Sequence, residues 1–343
     1  MQHEITSPTR LLDKNGNIAE PGFAKKMLYE YHRADIKASD WRIKEWDYYY
    51  VSNPRYAIAL TIGDNGFAGA LSVSVLEFEK PYDVTKTALV LFPLGKMKLP
   101  ETSEKGDSRY TQGKSTYEFL NDGTTRRLKG IHADFEKGKD LTFDITLTDF
   151  PEESMVIATP FDKDAHFYFN QKINCMRAEG VVKIGDKEYV FDKSDSMGTL
   201  DWGRGVWTYD NTWYWGSLQG YLDDGSRFGW NVGYGFGNTS AATENMLFYN
   251  GKSHKLDEVT FNIPQKDGKD DYMSPWTFTS NDNRFNMNFT PILDRQAPLN
   301  IGVICMLPHQ VFGRFNGTAV LDDGTVIEVK DMIGFAEKVH NKW

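Results

Sequence analysis

Alternation of large apolar residues with a period of two is the feature that most limits what this chain can fold into. From Arg55 to Ile62 every second residue is a large apolar side chain, and the same pattern recurs through most of the chain. Turn sequences such as Asn121-Asp122-Gly123 and Asp223-Asp224-Gly225 interrupt it at short intervals. No long segment carries the 3.6-residue stripe of an amphipathic helix. The pattern therefore predicts an all-β protein built as a barrel or a sandwich.

A weak internal repeat predicts that the chain has two related halves. Four residues are matched 136 or 137 positions later by residues of the same or similar type: Gly180 by Gly317, Gly198 by Gly334, Asp201 by Glu337 and Trp207 by Trp343. A near-constant offset favours duplication over chance. At 343 residues the chain also exceeds the usual size of a single core. We expect a lead-in and first β domain over residues 1–205 and a second β domain over residues 206–343.

Composition argues against several classes of function. The net charge of −9 is unfavourable for a nucleic-acid binder. The sequence has no run of 18 apolar residues, so no membrane span is expected. The first residues lack the pattern of a secretory signal, which favours a cytoplasmic location. The two cysteines and seven histidines show no metal-ligand spacing, and no phosphate or dinucleotide motif is present, so we expect neither a metal nor a cofactor. The oligomeric state stays open.

The segment from Asp201 to Tyr209 is the densest in groups that can carry chemistry. Arg204 lies between two glycines and three residues from Asp201, among tryptophans. One interpretation is a structural ion pair in which the guanidinium stacks on an aromatic ring. The other is a group that binds an anion or stabilises negative charge at the mouth of a pocket. The sequence does not decide between them.

The strand pattern after this segment has one bulky and one smooth face. Phe228, Trp230 and Val232 belong to the face that should enter a core, whereas glycines occupy most of the opposite face. Asn231 is the polar side chain on that glycine face. A glycine face lets a ligand or another part of the protein approach the sheet closely, or simply relieves crowding where a barrel bends.

Glu244 is the second candidate for proton transfer. In period two it shares a face with Met246 and Phe248, where loss of water would raise the pKa of its carboxyl and prepare it as a proton donor. Alternatively, Glu244 pairs with Arg204 or Arg227, or precedes the strand.

These observations give one set of candidate site residues. Asp201 and Glu244 are the predicted acid/base pair, and Arg204 is the predicted stabiliser of developing negative charge. The predicted substrate-binding residues are the aromatic and amide side chains nearby: Trp207, Tyr209, Trp213, Trp215, Asn231 and Asn245.

The same segments resemble a known family. The stretches Asp201–Trp207, Trp213–Gly216, Gly233–Gly237 and Thr243–Asn245 are similar to the DUF2804 family of uncharacterised bacterial proteins. Further similarity lies at Arg42–Asp47, Val311–Arg314 and Gly334–Glu337, so the resemblance covers almost the whole chain.

A more distant resemblance supplies an expectation about activity. The plan of two halves with an acidic Trp-Gly junction is similar to the AttH and carotenoid-hydratase group, which implies two lipocalin-like barrels and a small, largely apolar ligand. We therefore expect cofactor-independent acid/base chemistry, either hydration or isomerisation, near the junction of the halves. A glycosidase with paired carboxylates and a non-catalytic lipocalin-like carrier are the alternatives.

Overall fold

The computed structural model describes residues 2–300 and 305–343, which fold almost entirely as β-strands. A single 3₁₀ turn at Arg33–Asp35 is the helical element of this described part. The strands are β1 (Thr9–Arg10), β2 (Gly22–Ala24), β3 (Tyr29–Glu30), β4 (Ile43–Ser52), β5 (Tyr56–Asp64), β6 (Ala68–Glu77), β7 (Tyr82–Leu91), β8 (Ser108–Gln112), β9 (Ser115–Asn121), β10 (Arg126–Glu136), β11 (Lys139–Thr148), β12 (Met155–Pro160), β13 (Phe167–Ile184), β14 (Lys187–Phe191), β15 (Met197–Val206), β16 (Asp210–Tyr221), β17 (Arg227–Tyr234), β18 (Met246–Tyr249), β19 (Lys252–Lys255), β20 (Val259–Asn262), β21 (Gln265–Lys266), β22 (Lys269–Asp270), β23 (Trp276–Ser280), β24 (Phe285–Arg295), β25 (Leu299–Asn300), β26 (Cys305–Val320) and β27 (Val326–Lys342).

Two large sheets account for most of these strands. The first is a nearly closed barrel with the strand order β7-β6-β5-β4-β15-β13-β11-β10-β9-β8. The second is a half-barrel with the order β19-β18-β17-β16-β27-β26-β24-β23-β20. Strands that are neighbours in either order pair antiparallel. The predicted all-β class is therefore confirmed.

The two strand orders correspond step by step, which confirms the predicted duplication. Strands β4, β15 and β13 of the first sheet occupy the places of β16, β27 and β26 in the second. Gly180 on β13 and its repeat partner Gly317 on β26 share an unusual backbone, with φ of +149° and +157°. Strand β15 ends at Val206 and β16 begins at Asp210. The domain boundary between residues 205 and 206 stays a prediction.

Strand β15 has both of its faces buried. Leu200 and Trp202 on one face belong to the apolar core that fills the first barrel. Asp201 and Gly203, on the other face, point out of the barrel toward the second half of the chain. A separate core fills the second half, and two further clusters join side chains of both halves. The two sheets therefore pack together through faces that lie outside their own cores.

Among the described residues, no helix is long and apolar enough to cross a membrane. Cys175 and Cys305 are both buried and free, so neither forms a disulfide.

The repeated glycines give a prediction about stability. A Cβ atom at Gly180 would lie 2.2 Å from the carbonyl oxygen of Asp144, and one at Gly317 would lie 2.1 Å from that of Asn286. We expect Gly180→Ala and Gly317→Ala each to lower the free energy of unfolding by about 2 kcal/mol or more, because the added Cβ atom would displace the backbone of the neighbouring strand. Gly63→Ala is the control, since its Cβ would meet no atom closer than 3.7 Å. Denaturant unfolding measures all three, and equal effects at Gly180 and Gly63 would contradict this account.

Candidate active site

A cavity of about 150 Å³ lies where the two halves meet, and we call it the junction cavity. Among the described residues its walls comprise six aromatic side chains, three carboxylic acids and one lysine. They are Trp46, Tyr168, Trp207, Trp213, Trp215, Phe236, Asp201, Glu244, Glu337 and Lys172. Such a site is apolar over most of its surface and has its charged groups concentrated at a few points.

Asp201 is the most fully hydrogen-bonded acid of the cavity. Its Oδ1 accepts hydrogen bonds from Asn170 Nδ2 at 2.6 Å and from Trp46 Nε1 at 3.2 Å. Its Oδ2 lies 2.9 Å from Lys172 Nζ. Gly203, two residues along β15, makes room for the Trp46 ring, because a Cβ there would lie 1.9 Å from Trp46 Cζ2. The glycine therefore allows Trp46 to lie against the strand and reach Asp201.

Glu337 holds the equivalent place in the second half. Asp201 is in register with Tyr48 on β4, and Glu337 is in register with Trp215 on β16. In each half, the tryptophan two residues before that register partner donates to the acid. Trp46 donates to Asp201, and Trp213 Nε1 donates to Glu337 Oε1 at 2.9 Å. Gln310 Nε2 donates to Glu337 Oε2 at 2.8 Å. Burial raises the pKa of Glu337 to about 7, against the opposing effects of these hydrogen bonds and of Arg295.

Glu244 approaches the cavity from the segment just before β18. Asn231 Nδ2 donates to Glu244 Oε2 at 3.1 Å and to its backbone carbonyl at 2.8 Å. The glycine face of β17 accommodates this carboxyl, since a Cβ at Gly233 would lie 2.6 Å from Glu244 Oε1. Burial raises the pKa of Glu244, while Lys172 and the Asn231 hydrogen bond oppose the shift.

Lys172 and Tyr168, both on β13, complete the polar part of the cavity. Lys172 is 2% exposed and its Nζ lies 3.9 Å from the centre of the Trp215 ring, so it contacts both halves. Tyr168 stacks on Trp46 and meets Phe236 edge to face. Burial raises the pKa of the Tyr168 phenol well above its ordinary value, and the surrounding acids raise it further. The phenol therefore stays protonated and can donate a hydrogen bond.

Arg204 lies outside the junction cavity, on the opposite face of β15. Its side chain is fully buried, stacks on Trp202 at 4.1 Å and donates to Asp47 Oδ1 at 3.1 Å. It also lies 3.6 Å from Glu45 Oε1. This geometry matches the structural ion pair that was one of the two interpretations. The partners of Arg204 are Glu45 and Asp47 and not Asp201, because residues 201 and 204 point to opposite faces of the strand. Stabilisation of charge in the cavity by Arg204 has no geometric support.

The other predicted residues fall into two groups. Trp207, Trp213 and Trp215 line the junction cavity together with Asp201 and Glu244. Asn231 supports it from outside, accepting from Trp215 Nε1 at 2.6 Å while donating to Glu244.

Two of the predicted binding residues lie elsewhere. Asn245 is buried beside the cavity, where it accepts from Gly233 N and donates to the carbonyl of Asp257. Tyr209 is 48% exposed and does not line the cavity. Both therefore lack a direct route to a ligand in the junction cavity.

Five cavity residues were not among the predicted ones: Glu337, Trp46, Phe236, Lys172 and Tyr168. Glu337 could have been found, because the repeat already matched it to Asp201. Trp46 begins an alternating aromatic pattern at positions 46, 48 and 50, which is typical of a core strand. Lys172 and Tyr168 lie on β13 without a local motif, and only the pairing of β13 with β15 brings them to Asp201.

Within the described ranges, no group of three or more His, Cys, Asp or Glu side chains is placed to hold a metal ion. The three acids of the cavity are instead engaged by tryptophan, amide and lysine donors.

Comparison with solved structures shows the type of fold. A structure described as AttH from Nitrosomonas europaea is 12% identical, with a TM-score of 0.51, and the match covers 90% of this chain and 96% of that chain. Kievitone hydratase from Nectria haematococca is 11% identical, with a TM-score of 0.48, and the match covers 88% of each chain. The AttH likeness confirms the predicted lipocalin-like architecture, and at this identity it concerns the fold alone.

Comparison of sequences identifies the family. No curated protein matches the chain. A family model described as a domain of unknown function, DUF2804, matches residues 2–343. The chain therefore belongs to the DUF2804 family.

Proposed function

We propose that the protein binds a small, largely apolar molecule in the junction cavity and adds or moves a proton on it without a cofactor. The observation that carries the proposal is the grouping of acids with unequal surroundings. Asp201 has three donors including a lysine, whereas burial raises the pKa of both Glu244 and Glu337. Acid and base residues differ in this way in enzymes that transfer protons near neutral pH.

Charge balance supports the same division of roles. Three carboxyls and one lysine line the junction cavity, and all four side chains are buried. Ionising all three would leave like charges unbalanced in a medium of low dielectric constant, so at least one carboxyl retains its proton. Glu337, with its pKa of about 7, can donate a proton near neutral pH, and burial shifts the pKa of Glu244 in the same direction.

Hydration of a carbon–carbon double bond fits these groups. Asp201 accepts a proton from a water molecule as the water oxygen forms a bond to one carbon. Glu337 or Glu244 donates a proton to the other carbon as the π bond breaks. Isomerisation uses the same groups, with removal of a proton at one carbon and return at another. The six aromatic rings bind the apolar part of the ligand and exclude bulk water.

Ligand identification is the first test. Native mass spectrometry of the purified protein, followed by denaturing extraction, reports any molecule that co-purifies. An unsaturated apolar compound converted by the protein in D₂O, with deuterium appearing on carbon, supports the proposal. A bound sugar that the protein hydrolyses would instead establish the glycosidase alternative.

Glu244→Gln separates an enzyme from a carrier. The amide keeps the size of the side chain and its contact with Asn231, but it cannot donate a carboxyl proton. We expect turnover to fall roughly a hundredfold or more while ligand affinity changes little. Glu258→Gln, at an exposed position outside the junction cavity, is the matched control. Unchanged turnover in Glu244→Gln would remove Glu244 from the mechanism.

Glu337→Gln tests the state of the second acid without any substrate. Because the pKa of Glu337 in the folded protein is about 7, against 4.5 ordinarily, its contribution to stability is fully present below pH 4.5 and is lost as pH rises through 7. Glutamine stays neutral, so the stability of the variant relative to the parent should rise by about 3 kcal/mol between pH 4.5 and pH 8.

Denaturant unfolding at a series of pH values measures this difference. Glu328→Gln on the same strand is the control, since Glu328 is exposed and pairs with Lys330. A pH-independent difference for Glu337→Gln would show that Glu337 ionises normally in the folded protein.

A further inference from the structure

A second, larger cavity adjoins the junction cavity and is the starting point for an inference about the ligand. Its volume is about 340 Å³, and it shares Trp213 and Glu337 with the junction cavity. The first barrel contributes a wall of serine and threonine side chains from β5, β6 and β7. The second half contributes Arg295 and Gln310. We call this space the hydroxyl-lined cavity.

Size indicates that a ligand extends through both spaces. A cavity of about 150 Å³ holds a group about as large as a benzene ring. A larger apolar substrate therefore places only its reacting part beside Asp201 and Glu337. The remainder of the substrate would extend into the hydroxyl-lined cavity, and Glu337 lies at the boundary between the two cavities.

Arg295 has the chemistry of an anion-binding group in this second space. A guanidinium carries five N–H donors, and within the described residues one hydrogen bond is formed, from Arg295 Nη1 to Ser74 Oγ at 2.8 Å. Among those residues no carboxylate lies within ion-pair distance of Arg295, and Asp83 and Glu337 interact with it only at longer range. A half-buried arginine with unused donors is suited to bidentate binding of a carboxylate.

A neighbouring hydroxyl is the second donor that faces this space. The buried Tyr48 hydroxyl forms no hydrogen bond of full geometry within the described residues, although the Gln310 side chain lies near enough to interact with it, and both residues line the hydroxyl-lined cavity. A buried hydroxyl without a well-formed hydrogen bond is unfavourable. A carboxylate would accept from the Tyr48 hydroxyl as well as from Arg295, whereas a purely apolar ligand would offer neither donor an acceptor.

We propose that the hydroxyl-lined cavity binds a carboxylate on the substrate, held by Arg295 with the Tyr48 hydroxyl, while the apolar part reaches the junction cavity. The substrate class is thus an unsaturated, largely apolar carboxylic acid. This inference rests on the proposed function for the reaction, but the carboxylate subsite itself can be tested by binding alone.

Decanoate and 1-decanol are suitable probes because they share a chain and differ in the carboxylate. We expect the parent protein to bind decanoate at least about tenfold more tightly than 1-decanol, measured by calorimetry and by fluorescence of the cavity tryptophans. Arg295→Gln should lower decanoate affinity about tenfold or more and change 1-decanol affinity by less than about twofold. Arg314→Gln is the control, since Arg314 pairs with Asp331 away from both cavities.

The outcomes separate this inference from the proposed function. Equal affinity for the two probes, no binding of either, or an Arg295→Gln variant that keeps its preference for decanoate would each overturn the carboxylate subsite. Loss of preference in Arg295→Gln, with no turnover of any unsaturated acid by the parent protein, would support the subsite and refute the enzyme. Thermal unfolding is the control for folding. If Arg295→Gln unfolds at the same temperature as the parent protein, a loss of affinity does not reflect a loss of fold.

Discussion

Burial of both faces of β15 is the constraint on which the site depends. Every residue from Met197 to Val206 is buried, so each charged side chain of this strand needs a partner on its own face. Inside the barrel Arg204 is held by Glu45 and Asp47 and stacks on Trp202. On the outer face Asp201 is held by Lys172, whose other contact is a tryptophan of the second half. The first arrangement is closed on all sides, whereas the second opens on a cavity. The same strand therefore stabilises the barrel with one ionic cluster and presents a carboxylate to the junction cavity with the other.

Duplication followed by divergence explains how the cavity acquires acids of different character. Asp201 and Glu337 occupy equivalent strand positions and receive equivalent tryptophan hydrogen bonds. Their register partners on the neighbouring strand differ, because Asp201 lies opposite Lys172 and Glu337 lies opposite Gln310. An ammonium favours the ionised carboxyl, whereas an amide can present either its NH₂ or its carbonyl. One difference at a repeated position thus gives the two acids different partners on the same framework.

Sequence patterns predicted those features that depend on one strand at a time. Alternation predicted the all-β class, the repeat predicted the two halves, and the Trp-rich segment from Asp201 to Trp215 supplied four residues that line the cavity. Alternation also implies that Arg204 and Asp201, three residues apart, lie on opposite faces of the strand, yet the two were predicted to belong to one site. What local pattern could not supply is the pairing between distant strands. Lys172 reaches Asp201 only through the register of β13 with β15, and Glu244 reaches the cavity only because Gly233 lacks a side chain. The carboxyl lies before β18 rather than on it, so its position is set by Asn231 and not by the strand period.

Adjacent cavities with one shared acid also link binding to proton transfer. Arg295 lowers the pKa of Glu337 from a distance, and burial works in the opposite direction. A carboxylate bound to Arg295 neutralises that positive charge. Its loss favours the protonated form of Glu337, so an acidic ligand would favour protonation of the donor as it fills the site. A neutral molecule of the same shape would leave Arg295 uncompensated and Glu337 closer to ionisation. Selectivity for an acid would then appear in the rate of proton transfer as well as in affinity, because the same guanidinium influences both.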